Sequence, residues 1–151
     1  MANPDLEKIL TLLLDTARGM LQAHGEFLPF AGVLDQHGRL SLLDAEPPEE
    51  LIDVPTFVEA MQLGLRRAAQ NGDIHAAGVA ADVHVQLPEA QRRDATTSSD
   101  AISVQLEHHT GECFDVFLPY TAQPGRPLEF GEAFAVLGEA RIFGLVSPLP
   151  N

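Results

Sequence analysis

The sequence predicts an α+β domain: an antiparallel sheet, made of a hairpin plus a meander of three to five strands, with two helices packed on it in the order α-β-β-α-β-β-β and one or two further strands at the end. Three observations predict it. Residues 5–24 and about 55–70 repeat apolar side chains at three- and four-residue spacing, the signature of one buried helical face. From Ile74 the period becomes two and persists to Tyr120. Between these segments stand turn-forming residues, among them Gly25, Gly38, Gly72 and Gly111.

In the first helix Leu6, Ile9, Leu10, Leu13, Ala17, Met20, Leu21 and His24 share a face. Asn3 caps its start, Pro4 takes the first helical position where a missing N–H costs nothing, and Gly25 stops it. Strands at 27–34 and 39–43 flank Asp35-Gln36-His37-Gly38, a type I turn followed by a glycine suited to positive φ. The first of these strands is almost wholly apolar, which predicts burial on both faces, and Pro29 within it predicts an edge or a bulge. Residues 45–50, polar with two prolines, read as a connecting loop.

The second helix, about 55–70, turns Phe57, Val58, Met61, Leu65 and Ala68 inward. Thr56 and Glu59 have capping-box spacing, and Asn71-Gly72 supplies the exit. In the meander, His75, Ala77, Val79, Ala81, Val83 and Val85 fall on one face of its first strand. A mobile loop is expected at about 87–100, then strands at 102–109 and 113–120. Parity fixes their register: a three-residue loop Thr110-Gly111-Glu112 pairs Leu106 with Val116 and Val104 with Leu118, whereas a two-residue loop sets every apolar side chain against a polar one. It also places His109 across from Cys113 and Glu107 across from Asp115, and the same test puts Val83 near Val104 and Val79 near His108. Residues 128–143 read as one or two strands joined near 137–139, with a helix over 132–137 as the alternative, and 146–151 as a loose tail.

An apolar stripe on each helix and an apolar face on the meander are most simply satisfied by helices lying on one face of the sheet. The order of elements also resembles that of profilin-like or roadblock-type domains, which implies an α-β-α sandwich as the alternative; no function is carried over from that likeness.

The chain's 151 residues suffice for one core without metal or disulfide. Its 22 acidic and 9 basic residues give a formal charge of −13, which opposes binding to nucleic acid or to an anionic membrane. A basic protein, or a second copy of the chain forming a homodimer, is the expected partner. Asp5 and Glu7 precede the apolar run 9–14, unlike a signal peptide, and a lone Cys113 accords with a reducing compartment, so the expected location is cytoplasmic.

Two constellations bear on chemistry. His109 and Cys113, on one sheet face with Glu107 nearby, would be the parts of an activated thiolate, but no cysteine-hydrolase signature surrounds them and half-buried strand residues are the plainer identity. His75, His108 and His109 are the histidines able to approach one another, yet no HxH, HExxH or paired CxxC spacing indicates a metal. The glycines form no phosphate loop, and no cofactor is predicted. The expectation is a non-catalytic protein-interaction or accessory module of bacterial type; the rivals are a small hydrolase using the His109 and Cys113 face and a sensor domain holding a small apolar ligand.

Overall fold

A computed structural model describes residues 3–43, 53–92 and 96–143. Helix α1 spans Pro4–His24 and α2 spans Val54–Gln70. The strands are β1 (Phe30–Asp35), β2 (Leu40–Leu43), β3 (Ile74–Gln86), β4 (Ser98–His108), β5 (Cys113–Thr121), β6 (Glu129–Phe130) and β7 (Phe134–Leu137). All belong to one antiparallel sheet in the order β2-β1-β3-β4-β5-β6, with β7 also pairing β5. Among the described residues no helix is long and apolar enough to cross a membrane. The expected loop 45–50 and tail 146–151 lie outside the described residues, as do 93–95 of the loop expected at 87–100.

Helix α1 forms as its residues dictate. The Asn3 side chain accepts the N–H groups of Asp5 and Leu6, and Gly25 closes the helix at φ 78° with its N–H on the Leu21 carbonyl. Leu6, Ile9, Leu13, Ala17 and Leu21 are buried against Ala76, Ala80, Ile102, Val104, Leu106, Val116 and Leu118. Two sheet glycines let α1 approach this closely. A Cβ on Gly78 would lie 2.7 Å from Leu13 Cδ1, and one on Gly32 would lie 3.0 Å from Leu13 Cδ2.

The helices lie on opposite faces, so the layering is that of the α-β-α alternative. Helix α2 packs with Ala31, Val33, Ala77 and Val79, whose sheet positions alternate with those under α1. The one-face expectation assumed a single oily side to the sheet, whereas β1 and most of β3 are buried on both faces. For the same reason the β3/β4 register differs from expectation: Val83 pairs Ala101 and Val79 pairs Gln105, while Ala80 meets Val104. The even-numbered residues of β3 beneath α1 are small, and small residues at a close approach do not stand out as a hydrophobic stripe.

The β4–β5 connection keeps the predicted parity with a register displaced by two. His108 N–H donates to the Glu112 carbonyl, so the loop is His109-Thr110-Gly111, with Gly111 at φ 105° in its last position. Leu106 therefore pairs Phe114 and Val104 pairs Val116; Glu107 faces Cys113 and Gln105 faces Asp115. The place demanding positive φ fixes the turn, and glycine fills it at least cost.

The first hairpin closes on Gly38 at φ 81°, with Asp35 Oδ1 accepting the N–H groups of His37 and Arg39. Strand β1 is central, and Pro29 precedes it instead of marking an edge. The cap of α2 is Asp53, three residues before Thr56, whose N–H it accepts at 2.8 Å. Strand β4 starts at Ser98, four residues before the expected strand. At the C-terminal end, β6 and β7 are successive pieces laid along β5, parted by 131–133 and not by a turn at 137–139, and 132–137 is not helical. Residues 139–143 then cross the α2 side of the sheet as a strap, with Ile142 buried beside Leu65 and Val79.

Candidate functional site

At the turn end of the meander, the displaced register parts two residues that the predicted pairing joined. Cys113 stands opposite Glu107, its thiol directed to the Gly111 carbonyl at 3.6 Å, while His109 is an exposed loop residue whose N–H donates to the His75 carbonyl. Burial, followed by the nearby Glu107 carboxylate, pushes the Cys113 thiol above its ordinary range. This is the reverse of an activated thiolate.

The three histidines do meet. The ring of His109 lies 4.7 Å from both His75 and His108, measured between centroids. His108 is buried, with Nε2 2.9 Å from Asp5 Oδ2 and Nδ1 2.7 Å from Thr110 Oγ1. Asn3, the cap of α1, donates to Glu112 at 2.9 Å. The histidine stack thus ties the first turn of α1 to the β4–β5 loop. Desolvation, then the neighbouring His108 and His75, lowers the pKa of His109. Among the described residues no group of three or more His, Cys, Asp or Glu is placed to hold a metal ion.

Glu107 has a different place from the one its sequence position implied. Its buried carboxylate accepts the backbone N–H groups of Arg141 (2.7 Å), Ile142 (2.9 Å) and Phe143, holding the strap on the sheet. The Arg141 guanidinium pairs with Asp115 at 3.0 Å, and Arg66 donates to the Arg141 carbonyl. Three successive N–H groups converging on one carboxylate form a closed, satisfied arrangement that leaves Glu107 structural. Nothing in the sequence around 141–143 marks these amides, because the donors are backbone.

The other side of the molecule is open. Among the described residues strand β2 ends the sheet, and all four of its residues are exposed, Leu40 by 38%, Leu42 by 41% and Leu43 by 41%. Leu40 borders a shallow groove with Glu7 and Asp15 of α1. Leu43 borders two others: an apolar cleft of about 380 Å³ between α2 and β1, floored by Ala31 and Val33, and one of about 690 Å³ beyond the C-terminal end of α1. The second contains Asp82, whose carboxylate accepts the Tyr120 hydroxyl. Strand-edge leucines and Asp82 were missed as functional candidates. The signals were present in Leu-Ser-Leu-Leu, which gives a short strand no polar face, and in an aspartate ending the run of small residues at 76, 78 and 80.

No family model matches the chain, and no match is found among curated proteins or solved structures, so the functional reading rests on these residues.

Proposed function

We propose that this protein is a non-catalytic interaction module that takes up an extended, basic segment of a partner protein along β2. The observation that carries the reading is the composition of that edge. Sheet edges in soluble proteins are guarded by charge, proline or bulges, and an unguarded edge templates another strand. Residues 40–43 form a short strand but carry no charge, proline or bulge, and they expose three leucines. An added strand would take its affinity from main-chain hydrogen bonds and its specificity from alternate side chains entering the flanking grooves. Charge selects the sign of that partner: the net charge is −13, and around β2 the acidic Glu7, Asp15 and Asp35 outnumber the basic Lys8 and Arg39.

A ten-residue synthetic peptide alternating valine and lysine tests this against its valine and glutamate counterpart, with amide shifts of 15N-labelled protein as the readout. The lysine peptide is expected to bind saturably, shifting amides of residues 40–43 most, and to lose that binding in Leu42→Pro, which removes an N–H directed away from β1 and leaves the Val33 and Ser41 pairing in place. Equal binding of the glutamate peptide, or shifts that avoid β2, would refute the proposal. Concentration-dependent dimerisation through β2 that excludes the peptide would instead make a second copy of the chain the occupant.

A further inference from the structure

The cleft beyond the C-terminal end of α1 is built from apolar side chains of four separate segments. Met20 comes from the last turns of α1, Phe27, Leu28 and Phe30 from the chain entering β1 and its first residue, Leu43 from β2 and Val54 from the start of α2. Phe27 and Phe30 brace each other edge to face at 5.6 Å, and Leu28 is left 56% exposed at the rim. At about 690 Å³ the cleft lies within the range of small-molecule sites, roughly 300–1,000 Å³, which are apolar with a few convergent polar groups.

Its polar side chains are two carboxylates and one imidazole. Among the described residues Asp82 and Glu26 line the cleft with His24, and no lysine or arginine does. Asp82 is half-buried on β3, held by the Tyr120 hydroxyl, and the carboxylates of Asp100 and Glu26 are close enough to act on it. Burial first, and then those two like charges, raises the Asp82 pKa above the ordinary carboxylate value. Asp100 has its own partner in His84 at 3.0 Å, leaving Asp82 and Glu26 as the charges facing the cleft. The C-terminal end of α1 points its negative dipole end the same way. A cation lodged here would relieve that repulsion, while an anion would add to it.

We infer that this cleft binds an amphipathic small-molecule cation, its amine or amidine head against Asp82 and Glu26 and its hydrocarbon body over Phe27, Leu28 and Phe30. The cleft shares Leu43 with the β2 edge, but its test is separable from strand addition: its ligand reaches Asp82 on β3, and the variants below leave residues 40–43 untouched.

The test uses octylamine, with octan-1-ol and octanoate as neutral and anionic isosteres, titrated into the full chain by calorimetry. Tyr120 is the chain's one tyrosine and there is no tryptophan, so intrinsic emission reports directly on the Tyr120 hydroxyl that donates to Asp82. Octylamine is expected to bind saturably, at least tenfold more tightly than octan-1-ol, with a matching change in emission and no binding of octanoate. Asp82→Asn is expected to reduce octylamine affinity about tenfold, to the level of the alcohol. Glu26→Gln, at an exposed loop position that cannot unfold the core, is expected to reduce it several-fold. Octanoate or octan-1-ol binding as tightly as octylamine, unchanged octylamine affinity in both variants, or no saturable binding would overturn the inference.

Discussion

Cys113 carries its thiol at a half-buried strand position where desolvation and the carboxylates of Glu107 and Asp115 all oppose ionisation. Cys113→Ser is therefore expected to leave the fold and any binding intact, with a stability change within about 0.5 kcal/mol in urea denaturation. Loss of a measurable turnover in that variant alone would restore the thiolate reading. His109 supports a prediction with a definite sign. Its folded-state pKa lies below the ordinary 6.5 because of partial desolvation, then the neighbouring His108 and His75 rings, so the neutral ring favours the folded chain. That contribution is complete above pH 6.5 and is lost as the pH falls from there through the lowered folded value. The thermal midpoint should fall between pH 7.5 and 5.5, and fall less in His109→Gln. An identical pH dependence in the variant would remove His109 as the source and leave the facing groups, Asp5, His75, His108 and Glu112, to account for it.

At the scale of elements, α1 and β3 are joined at a point where no side chain fits. Adding a methyl group at Gly78 brings it to 2.7 Å from Leu13 and 2.8 Å from Ile9, both fully buried, so Gly78→Ala is expected to cost about 1–3 kcal/mol by overpacking. No loss would mean that α1 stands off the sheet further than Leu13 indicates. Val104, fully buried beneath the same helix, is expected to lose several kcal/mol as Val104→Asp, because an unpaired charge enters the core. These contacts also explain how much of the fold was legible. Helix α1, the first hairpin and the β4–β5 parity follow from local rules: a capped amphipathic stripe, a glycine at a positive φ, and a two-residue period. The side of the sheet that α2 covers does not, because β3 is apolar on both faces and its even positions are too small to register as a stripe. The chemistry at the meander's turn was legible only as proximity. His75, His108 and His109 do meet, while Glu107 is drawn to the backbone of a strap 34 residues away in sequence.

For the molecule as a whole, the surplus of 22 acidic over 9 basic residues acts on folding and on association with opposite signs. Within the chain it is self-repulsion that compaction must overcome, and the described ion pairs of arginine, Arg18 with Asp15 and Arg141 with Asp115, leave most carboxylates without one. Salt screens that repulsion, since the Debye length shrinks from about 30 Å at 0.01 M to about 8 Å at 0.15 M. The thermal midpoint is thus expected to rise by a few degrees over this interval, on the order of 1 kcal/mol for a chain of this size. The same field draws a basic segment to β2, and screening weakens that attraction. Affinity for the valine and lysine peptide should therefore fall several-fold across the very interval in which the fold gains stability. Measuring both in one salt series separates the two effects. A midpoint that falls with salt would show that favourable charge pairs outweigh repulsion, and a peptide affinity indifferent to salt would show that the leucines of β2 select their partner without help from charge.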